Sequence, residues 1–498
     1  MPVFIYCFYF NIFSLLNIKK INNMTIKKFR EVVTWLSEVI KGSLWEMHIF
    51  LVGGAVRDLV MNEPIKDIDI VVDIPNGGID FAKWMEQNSY TKGSVVTYPT
   101  YGTAMFRPVN FPEIELECVQ TRGEQYHDKN SRNPETCYAS IEEDAFRRDL
   151  TINALYINIS TGEVLDITGK GREDIDKHII RVTNDNPDIV FNDDPLRLMR
   201  CVRFTSRFGW DIDETTYDSM KRNAERLKII SKERIQDEFV KILLSKNPVM
   251  GMVLLKETGL LEQFIPEFKE TYGMKQNIYH DHCTVWEHTM KVIQHASEIE
   301  VEDKKLREFL MLAAVFHDIG KIRTHTENEG KVHFYNHEYE SEKMTRDILK
   351  RLKFPNDTID EVCFMVRNHM RFKGVGDNTP KDKSIRKFQY ECVTEDRFNL
   401  CIYLIHADNL SHGVKYCLPN QAMKILERSN ELLDDGNAMF NYKLPISGDE
   451  IMEFKGINPG PEVKKYKEYL LKMAFNNAKE LDRDMCFKYI KNLDISKI

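Results

Sequence analysis

The sequence predicts a multidomain α+β protein: a mixed α/β head, then an all-α neck and body, then an all-α histidine-bearing domain with a helical tail. Three observations carry this. The chain has 498 residues, enough for three domains at about 150 residues each. Up to residue 182, short β-branched runs alternate with amphipathic stretches. Beyond Asn192 the apolar residues recur at helical spacing.

Element by element, IKKFREVVTWLSEVI (26–40) has the apolar spacing of a helix. MHIFLV reads as a short buried strand ending at Gly53-Gly54, AVRDLVM as a helix and IDIVV as a strand. FAKWMEQ is helical after the Gly77-Gly78 break. SVVTY, TAMFR and IELECVQT are strand candidates, EEDAFRRDLTINALYI begins as a helix, and VLDI is a short strand. PLRLMRCVRFTSRFG, TYDSMKRNAERL, KERIQDEFVKILLS and PVMGMVLLKETGLLEQF make 193–270 all-helical. A polar stretch, TYGMKQNIYHDH, leads into a helical, His-rich segment over 284–412, and INPGPE breaks the chain before VKKYKEYLLKMAF. The expected domains are therefore 24–182, 183–270, 271–440 and 441–498.

Composition narrows the function. Lys and Arg number 69 against 77 Asp and Glu, a net charge of −8. That excludes a globally basic nucleic-acid coat but not a local basic groove. Apolar residues make up 42% and charged residues 29%, as in ordinary globular proteins. The ten cysteines form no C-x-x-C pair, which argues against a zinc ribbon or disulfide scaffold and for reduced thiols in the cytoplasm. Residues 3–16 (VFIYCFYFNIFSLL) are apolar but too few for a span of about 20, and no basic residue precedes them. The amphipathic pattern begins at Ile26, so Met24 is the expected natural start and 1–23 an upstream extension; a membrane-surface anchor is the alternative, and no membrane partner is expected.

Asp67 and Asp69 stand at i and i+2 in KDIDIVV. On a strand both carboxylates face the same way. Their repulsion is relieved by a divalent cation, and Mg²⁺ takes hard oxygen ligands together with substrate phosphates. Glu117 in IELECVQT is a third carboxylate available from a neighbouring strand. Upstream, LVGGAVRD sets Gly53 and Gly54 between a strand and a helix, where bare backbone and free helix N–H groups suit phosphates, with Arg57 in the first helical turn. A D-x-D pair alone is a solvated strand edge as readily as a site; the glycine block ahead of it makes the pattern informative.

GGAVRD followed by DID resembles the signature of the class II tRNA nucleotidyltransferase and bacterial poly(A) polymerase superfamily. RRDLTINAL (147–155), DDPLRLMRCVRF (193–204) and KERIQDEF (232–239) agree in order, and the resemblance covers about 47–270. It implies a nucleotidyltransferase head with catalytic Asp67, Asp69 and Glu117 and Mg²⁺ as cofactor. In RRDLTINAL, Arg148, Asp149 and Asn153 fall on roughly one helical side, a cation for phosphate beside a carboxylate and an amide for ribose hydroxyls. The resemblance assigns this block to ribonucleotide selection.

Asp194 and Arg197 lie three apart, on one face if DDPLR opens a helix with Pro195 in its first turn. Cytosine and adenine each present an amino donor beside a ring acceptor. One carboxylate and one guanidinium answer both, whereas uracil and guanine would leave buried groups unpaired. The pair suits CTP and ATP, and otherwise serves as a helix-capping pair. The superfamily motif is written E-D-x-x-R; here Asp193 holds its first position. Arg200 and Arg203 follow at helical spacing, within reach of phosphate or base.

His288, His317, Asp318 and Asp408 occur in the order H…HD…D, with His317-Asp318 closing the apolar run FLMLAAVF. Two imidazoles and two carboxylates can hold one divalent metal, and His337 and His369 a second. The set resembles an HD phosphohydrolase domain. In the superfamily such a domain implies phosphatase or cyclic phosphodiesterase action at 2′,3′ ends. TRDILKRLKF (345–354) and PKDKSIRKF (380–388) are locally basic and suit either RNA phosphates or plain solvation. PISGDEIMEFKGINPGPEV (445–463) resembles the C-terminal part of HD-bearing members.

The expectation is a cytoplasmic enzyme that adds CCA to tRNA from CTP and ATP. The rivals are a poly(A) polymerase, an enzyme adding only A or only CC, and an HD phosphohydrolase whose head merely binds RNA. A guanosine-polyphosphate synthetase/hydrolase is disfavoured, because there the HD domain comes first and the base-reading pair would be wrong for guanine.

Overall fold

The computed structural model describes residues 25–125, 135–281 and 283–495; the expected extension 1–23 and the Met24 start lie outside them. The chain forms two compact units that part between Val190 and Phe191.

In the first unit, helix α1 (Ile26–Ile40) is capped by the Thr25 hydroxyl, which accepts from the Lys28 N–H, and buries Phe29, Val32, Leu36 and Ile40. The wholly buried strand β1 (Ile49–Val52) ends at Gly53, whose φ of +73° turns the chain into α2 (Gly54–Val60). Strand β2 (Ile68–Val72) and helix α3 (Gly77–Gln87) follow, then β3 (Val96–Tyr98), β4 (Thr103–Phe106) and β5 (Leu116–Gln120). Strands β6 (Arg122–Gln125) and β7 (Glu135–Tyr138) pair with each other. Helix α4 (Ile141–Phe146), strands β8 (Leu155–Asn158) and β9 (Val164–Asp166), and helix α5 (Gly171–Lys177) complete the series, and the division falls within α6 (Pro187–Asp193).

Seven strands form one sheet in the order β3-β4-β5-β2-β1-β8-β9. Only β2 and β5 pair in parallel. Two registers matter for the site. Val52 opposes Asp69 across β1 and β2, and Asp69 opposes Glu117 across β2 and β5. Residues opposite one another project from the same face. On one side α4 packs Ile141 and Ala145 against Phe50, Val52, Val71 and Tyr156. Helix α3 packs on β2, β4 and β5.

Two local expectations need correction. Gly77 and Gly78 do not precede α3; they are its first turn. A Cβ at Gly78 would stand 2.8 Å from the Cys118 and Gly102 carbonyl oxygens, so glycine lets the helix lie directly on the sheet backbone. Nor is RRDLTINAL one helix. α4 stops at Phe146, Leu150 is extended, and Thr151–Asn153 is a single tight turn. The Thr151 N–H donates to the Arg181 carbonyl at 3.0 Å. Buried Leu150 and Ile152 hold this segment to the core, and the tertiary pairing overrides local helix propensity.

The second unit is helical. It runs α7 (Leu196–Phe208), α8 (Glu214–Asn223), α9 (Lys232–Leu243) and α10 (Pro248–Glu257), then α11 (Val285–Glu298), α12 (Lys304–Phe316) and α13 (Lys321–Thr324). A hairpin, β10 (His325–Asn328) and β11 (Lys331–Phe334), precedes α14 (His337–Arg351), α15 (Asn356–Asn368), α16 (Asp382–Cys392), α17 (Glu395–Leu410) and α18 (Gln421–Asp434). Helix α12 buries every residue from Phe309 to Phe316 and packs against α11, α15 and α17, the setting of a helix apolar all round. The tail helices α19 (Gly448–Lys455), α20 (Pro461–Ala474) and α21 (Arg483–Lys491) build a core around Ile451, Tyr466, Leu470 and Ile490. No helix among the described residues is long and apolar enough to cross a membrane.

Candidate active site

The first unit concentrates charge where β1, β2 and β5 lie side by side. Asp69 is half-buried in β2, and Asp67 is exposed one residue before that strand. Burial, the neighbouring Glu117 and Asp67 push the Asp69 carboxyl up to about 6, against the pull of Arg148. A carboxylate so crowded by like charge fits a divalent cation, which would remove the repulsion. The backbone of Gly53 faces this group: a Cβ there would be 3.7 Å from Asp69 Oδ2 and 3.8 Å from Arg148 Nη1. Gly53, Asp69, Glu117 and Arg148 are thus brought together from four separate segments.

Arg148 is held by a residue that the sequence reading missed. Its Nε and Nη2 donate to Asp144 Oδ2 at 3.1 and 2.9 Å, and its Nε also donates to the Tyr156 hydroxyl at 2.9 Å. Arg147 donates to the other oxygen of Asp144, and the Tyr156 hydroxyl donates to Asp144 Oδ2 at 2.7 Å. Burial alone would raise this carboxyl, but Arg148 and Arg147 hold it well below the usual range. The i, i+3 and i+4 spacing of Asp144, Arg147 and Arg148 was the available signal.

A second cluster joins the remaining head residues. Arg57 is buried; its Nε and Nη2 donate to Asp58 Oδ1 at 2.8 and 2.6 Å, and its Nη1 to Asn153 Oδ1 at 2.5 Å. Asn153 Nδ2 donates to Asp149 Oδ1 at 3.1 Å. The structure therefore links Arg57, Asn153 and Asp149 through a tight turn, not along the expected helical side. Beside them, Gly54 starts α2.

In the second unit, Asp194 lies between α6 and α7 and Pro195 caps α7, so Asp194 precedes the helix that it was expected to open. Asp194 Oδ1 accepts from the Leu196 N–H at 3.0 Å, and Oδ2 pairs with Arg234 at 3.0 Å. Arg197 is buried one turn on, its N–H donating to the Asp194 carbonyl. Arg200 lies over the Phe204 ring, and Arg203 pairs with Glu238 at 2.9 Å. Arg234 sits in KERIQDEF but was not singled out. The basic stretches are partly occupied within the fold: Arg346 pairs with Asp360, Arg351 with Glu267, and Arg386 donates to the Asn437 and Phe475 carbonyls.

The histidine set converges from helix ends. His288 is in the first turn of α11, His317 follows α12, His337 begins α14, His369 follows α15, and Asp408 is in the last turn of α17. His288 Nε2 is 3.0 Å from Asp408 Oδ1, 3.4 Å from Asp318 Oδ2 and 3.3 Å from His317 Nε2; His317 Nε2 is 3.2 Å from Asp318 Oδ2. Ligands about 2.1 Å from one ion stand roughly 3 Å apart at right angles, so Nε2 of His288 and of His317 and Oδ2 of Asp318 fit a single divalent metal; Asp408, expected as a fourth ligand, lies against His288 and Lys373. On the other side of the same carboxylate, Asp318 Oδ1 is 3.2 Å from His337 Nε2 and 3.7 Å from His369 Nε2, which are 3.2 Å from each other. Asp318 thus faces two imidazole pairs with its two oxygens.

Carbonyls orient three of the rings. The Nδ1 atoms of His317, His337 and His369 lie 2.9, 2.9 and 2.6 Å from the carbonyls of Ala314, Phe334 and Val366, the outer bonds that point Nε2 inward. Burial takes His288 down to about 4, and burial with His337 holds His369 well below its ordinary value, so both stay neutral as ligands must. Asp318 is held ionised, burial notwithstanding, by Lys321 and His317. Two cations escaped the sequence reading: Lys321 Nζ is 2.6 Å from Asp318 Oδ2, and Lys373 Nζ is 2.6 Å from Asp408 Oδ2.

A sheet-borne carboxylate group facing a glycine turn, joined to a helical unit with an HD cluster, defines a two-part nucleotidyltransferase. Comparison with known proteins agrees. Residues 49–181 match the poly A polymerase head domain, 209–271 the probable RNA and SrmB-binding site of polymerase A, and 285–411 the HD domain. The multifunctional CCA protein of Neisseria gonorrhoeae is 30% identical over 66% of this chain and 75% of its own. The CC-adding tRNA nucleotidyltransferase of Thermus thermophilus is 28% identical over 85% of this chain and 88% of its own. The crystal structure of the Bacillus stearothermophilus CCA-adding enzyme with CTP superposes with a TM-score of 0.62 at 20% identity, covering 93% of this chain and 98% of that one. The chain belongs to the tRNA nucleotidyltransferase family that joins a poly(A) polymerase-type head to an HD domain.

Proposed function

We propose that this chain is a cytoplasmic enzyme that adds C, C and A to the 3′ end of tRNA from CTP and ATP. The observation that carries the reading is the register that sets Asp69 beside Glu117 and opposite the strand that ends at Gly53. In the reaction the RNA 3′-oxygen attacks the α-phosphorus. The bond to the β-phosphate oxygen breaks, pyrophosphate leaves, and the hydroxyl proton is lost. Asp67 and Asp69, with Glu117, would hold Mg²⁺, which when bound lowers the hydroxyl pKa and offsets charge on the leaving group. Gly53 and Gly54 cradle the triphosphate with their backbone, and Arg148, locked by Asp144 and Tyr156, meets its charge without paying to be ordered. Arg57, Asn153 and Asp149 act together in binding the ribonucleotide. Asp194 and Arg197 choose the base, with Arg200 assisting; Arg234 steadies the Asp194 carboxylate in the orientation needed to accept from an amino group.

Labelled CTP and ATP, singly and mixed, given with Mg²⁺ to tRNA ending before C, C or A, test this. Growth that stops after CCA is expected. A long A tail identifies a poly(A) polymerase, and no extension leaves only the HD chemistry. Asp194→Ala should blur the choice of CTP and ATP over UTP and GTP; unchanged preference would end the base-reading role. The Thermus thermophilus relative, matched over 85% of this chain, favours a second reading in which addition stops after CC; the same assay separates it.

The HD cluster supports a second activity, metal-dependent hydrolysis of phosphate esters, with His288, His317 and Asp318 holding one ion and Asp318, His337 and His369 another, and Asp408 orienting His288. Release of phosphate from 2′- or 3′-phosphorylated ends, lost on chelation, is the expected result.

A further inference from the structure

Arg57 and Asp58 are neighbours on α2, where successive side chains point apart. They nevertheless form a buried ion pair. Asp58 Oδ1 accepts from both Nε and Nη2 of Arg57, at 2.8 and 2.6 Å, and the two residues are only 3% and 4% exposed. The guanidinium must curl back along its own helix to make this pair, and in that pose its remaining nitrogen, Nη1, donates to Asn153 Oδ1 in the turn after α4.

A guanidinium can only donate, so the Asn153 amide has one allowed direction. Its oxygen faces Arg57, and its nitrogen gives one N–H to Asp149 Oδ1 at 3.1 Å. The same carboxylate oxygen accepts the Leu150 N–H at 2.8 Å, which holds Asp149 to the backbone of the turn. The second N–H of Asn153 is used by no other group among the described residues, although the side chain is buried. An amide N–H beside a carboxylate complements a hydroxyl, which both accepts and donates. A sugar lacking that hydroxyl would leave the N–H buried and unmatched, which is unfavourable.

We propose that Asp58 is a positioning residue for ribose selection: through Arg57 it fixes the Asn153 amide so that the amide offers the sugar an N–H and not a carbonyl. This rests on the ribonucleotide-binding role given above to Arg57, Asn153 and Asp149. Asp58 acts through Arg57 and does not touch the nucleotide. Without its carboxylate the guanidinium loses its anchor, and the amide can turn over.

The test gives the full-length protein CTP or dCTP, with Mg²⁺ and tRNA ending before the first C. The parent should prefer CTP. Asp58→Asn should lower the ratio of kcat/KM for CTP to that for dCTP roughly tenfold, the worth of one oriented hydrogen bond. This ratio does not depend on how much of the enzyme is folded, so lost stability alone leaves it in place. Asp58→Asn leaves the Arg57 charge buried without its partner carboxylate, which can unfold the head. Arg57→Gln combined with Asp58→Asn removes both charges and should show the same fall. Asn153→Ala should lower the ratio by itself, and adding Asp58→Asn to it should lower it no further, because one relay carries both effects. An unmoved ratio in the folded variants, or losses that multiply, overturns the proposal and leaves nucleotide addition standing. A parent with no preference for CTP overturns the ribose pocket and the proposal together. A parent that adds neither nucleotide ends the nucleotidyltransferase reading itself.

Discussion

Asp69 shows at the scale of one residue how a group proposed to be catalytic opposes its own fold. A carboxyl raised to about 6 is a charge that the metal-free head holds at a cost at neutral pH. Replacing it with the neutral isostere should therefore lower nucleotide incorporation by at least a hundredfold or so, while the metal-free melting temperature stays level or rises, as scanning calorimetry would show. A fall in both would mean that Asp69 is structural. The pair Asp67 and Asp69 was legible because a period of two is written into the sequence, and Gly53 because glycine marks a backbone that phosphate can approach. Asp144 was not singled out, because its role depends on Tyr156 and on complete burial, and spacing reports neither. Lys373 gave no local signal: its partner Asp408 is brought to it only by the packing of α17.

Helix α4 and the turn after it carry this logic to the element. The Asp144 carboxylate is buried, and Arg147, Arg148 and Tyr156 all bond to it. Its pKa lies below the ordinary 3.8 in the folded state. A depressed carboxylate contributes stability that is whole above its unfolded value and fades as pH falls toward its folded one. Asp144→Asn should accordingly cost about 3–5 kcal/mol at pH 7, with the gap to the parent protein closing below about pH 4; urea titrations at several pH values measure this. Gly320 does for α14 what Gly78 does for α3. A Cβ at Gly320 would sit 2.6 Å from the His337 carbonyl oxygen, so the glycine lets α14 approach closely enough to present His337 to Asp318. Gly320→Ala should weaken metal binding to the HD cluster more than it weakens the fold, seen as reduced metal content after dialysis. Helices and glycine turns were legible from periodicity. The break inside RRDLTINAL was not, because Leu150 and Thr151 are held by residues near 181, beyond any local window.

For the whole molecule, the two compact units part between Val190 and Phe191. Strand order was beyond reach: the parallel pairing of β2 with β5 joins segments nearly fifty residues apart, and only the folded sheet reveals that Glu117 flanks Asp69. The two sets of candidate metal ligands share no residue, one lying wholly before Val190 and the other wholly after it. Their chemistries should therefore be separable by mutation. His317→Ala removes one of the four imidazoles that face Asp318, and should abolish metal-dependent phosphate release while leaving nucleotide incorporation within about twofold of the parent. Asp69→Asn should do the reverse. Because His317 is fully buried, the alanine also opens a cavity, so His317→Gln, which keeps volume and a polar tip, serves as the control for folding. If both variants lost both activities, the units would have to be acting as one catalytic assembly rather than as two enzymes in one chain.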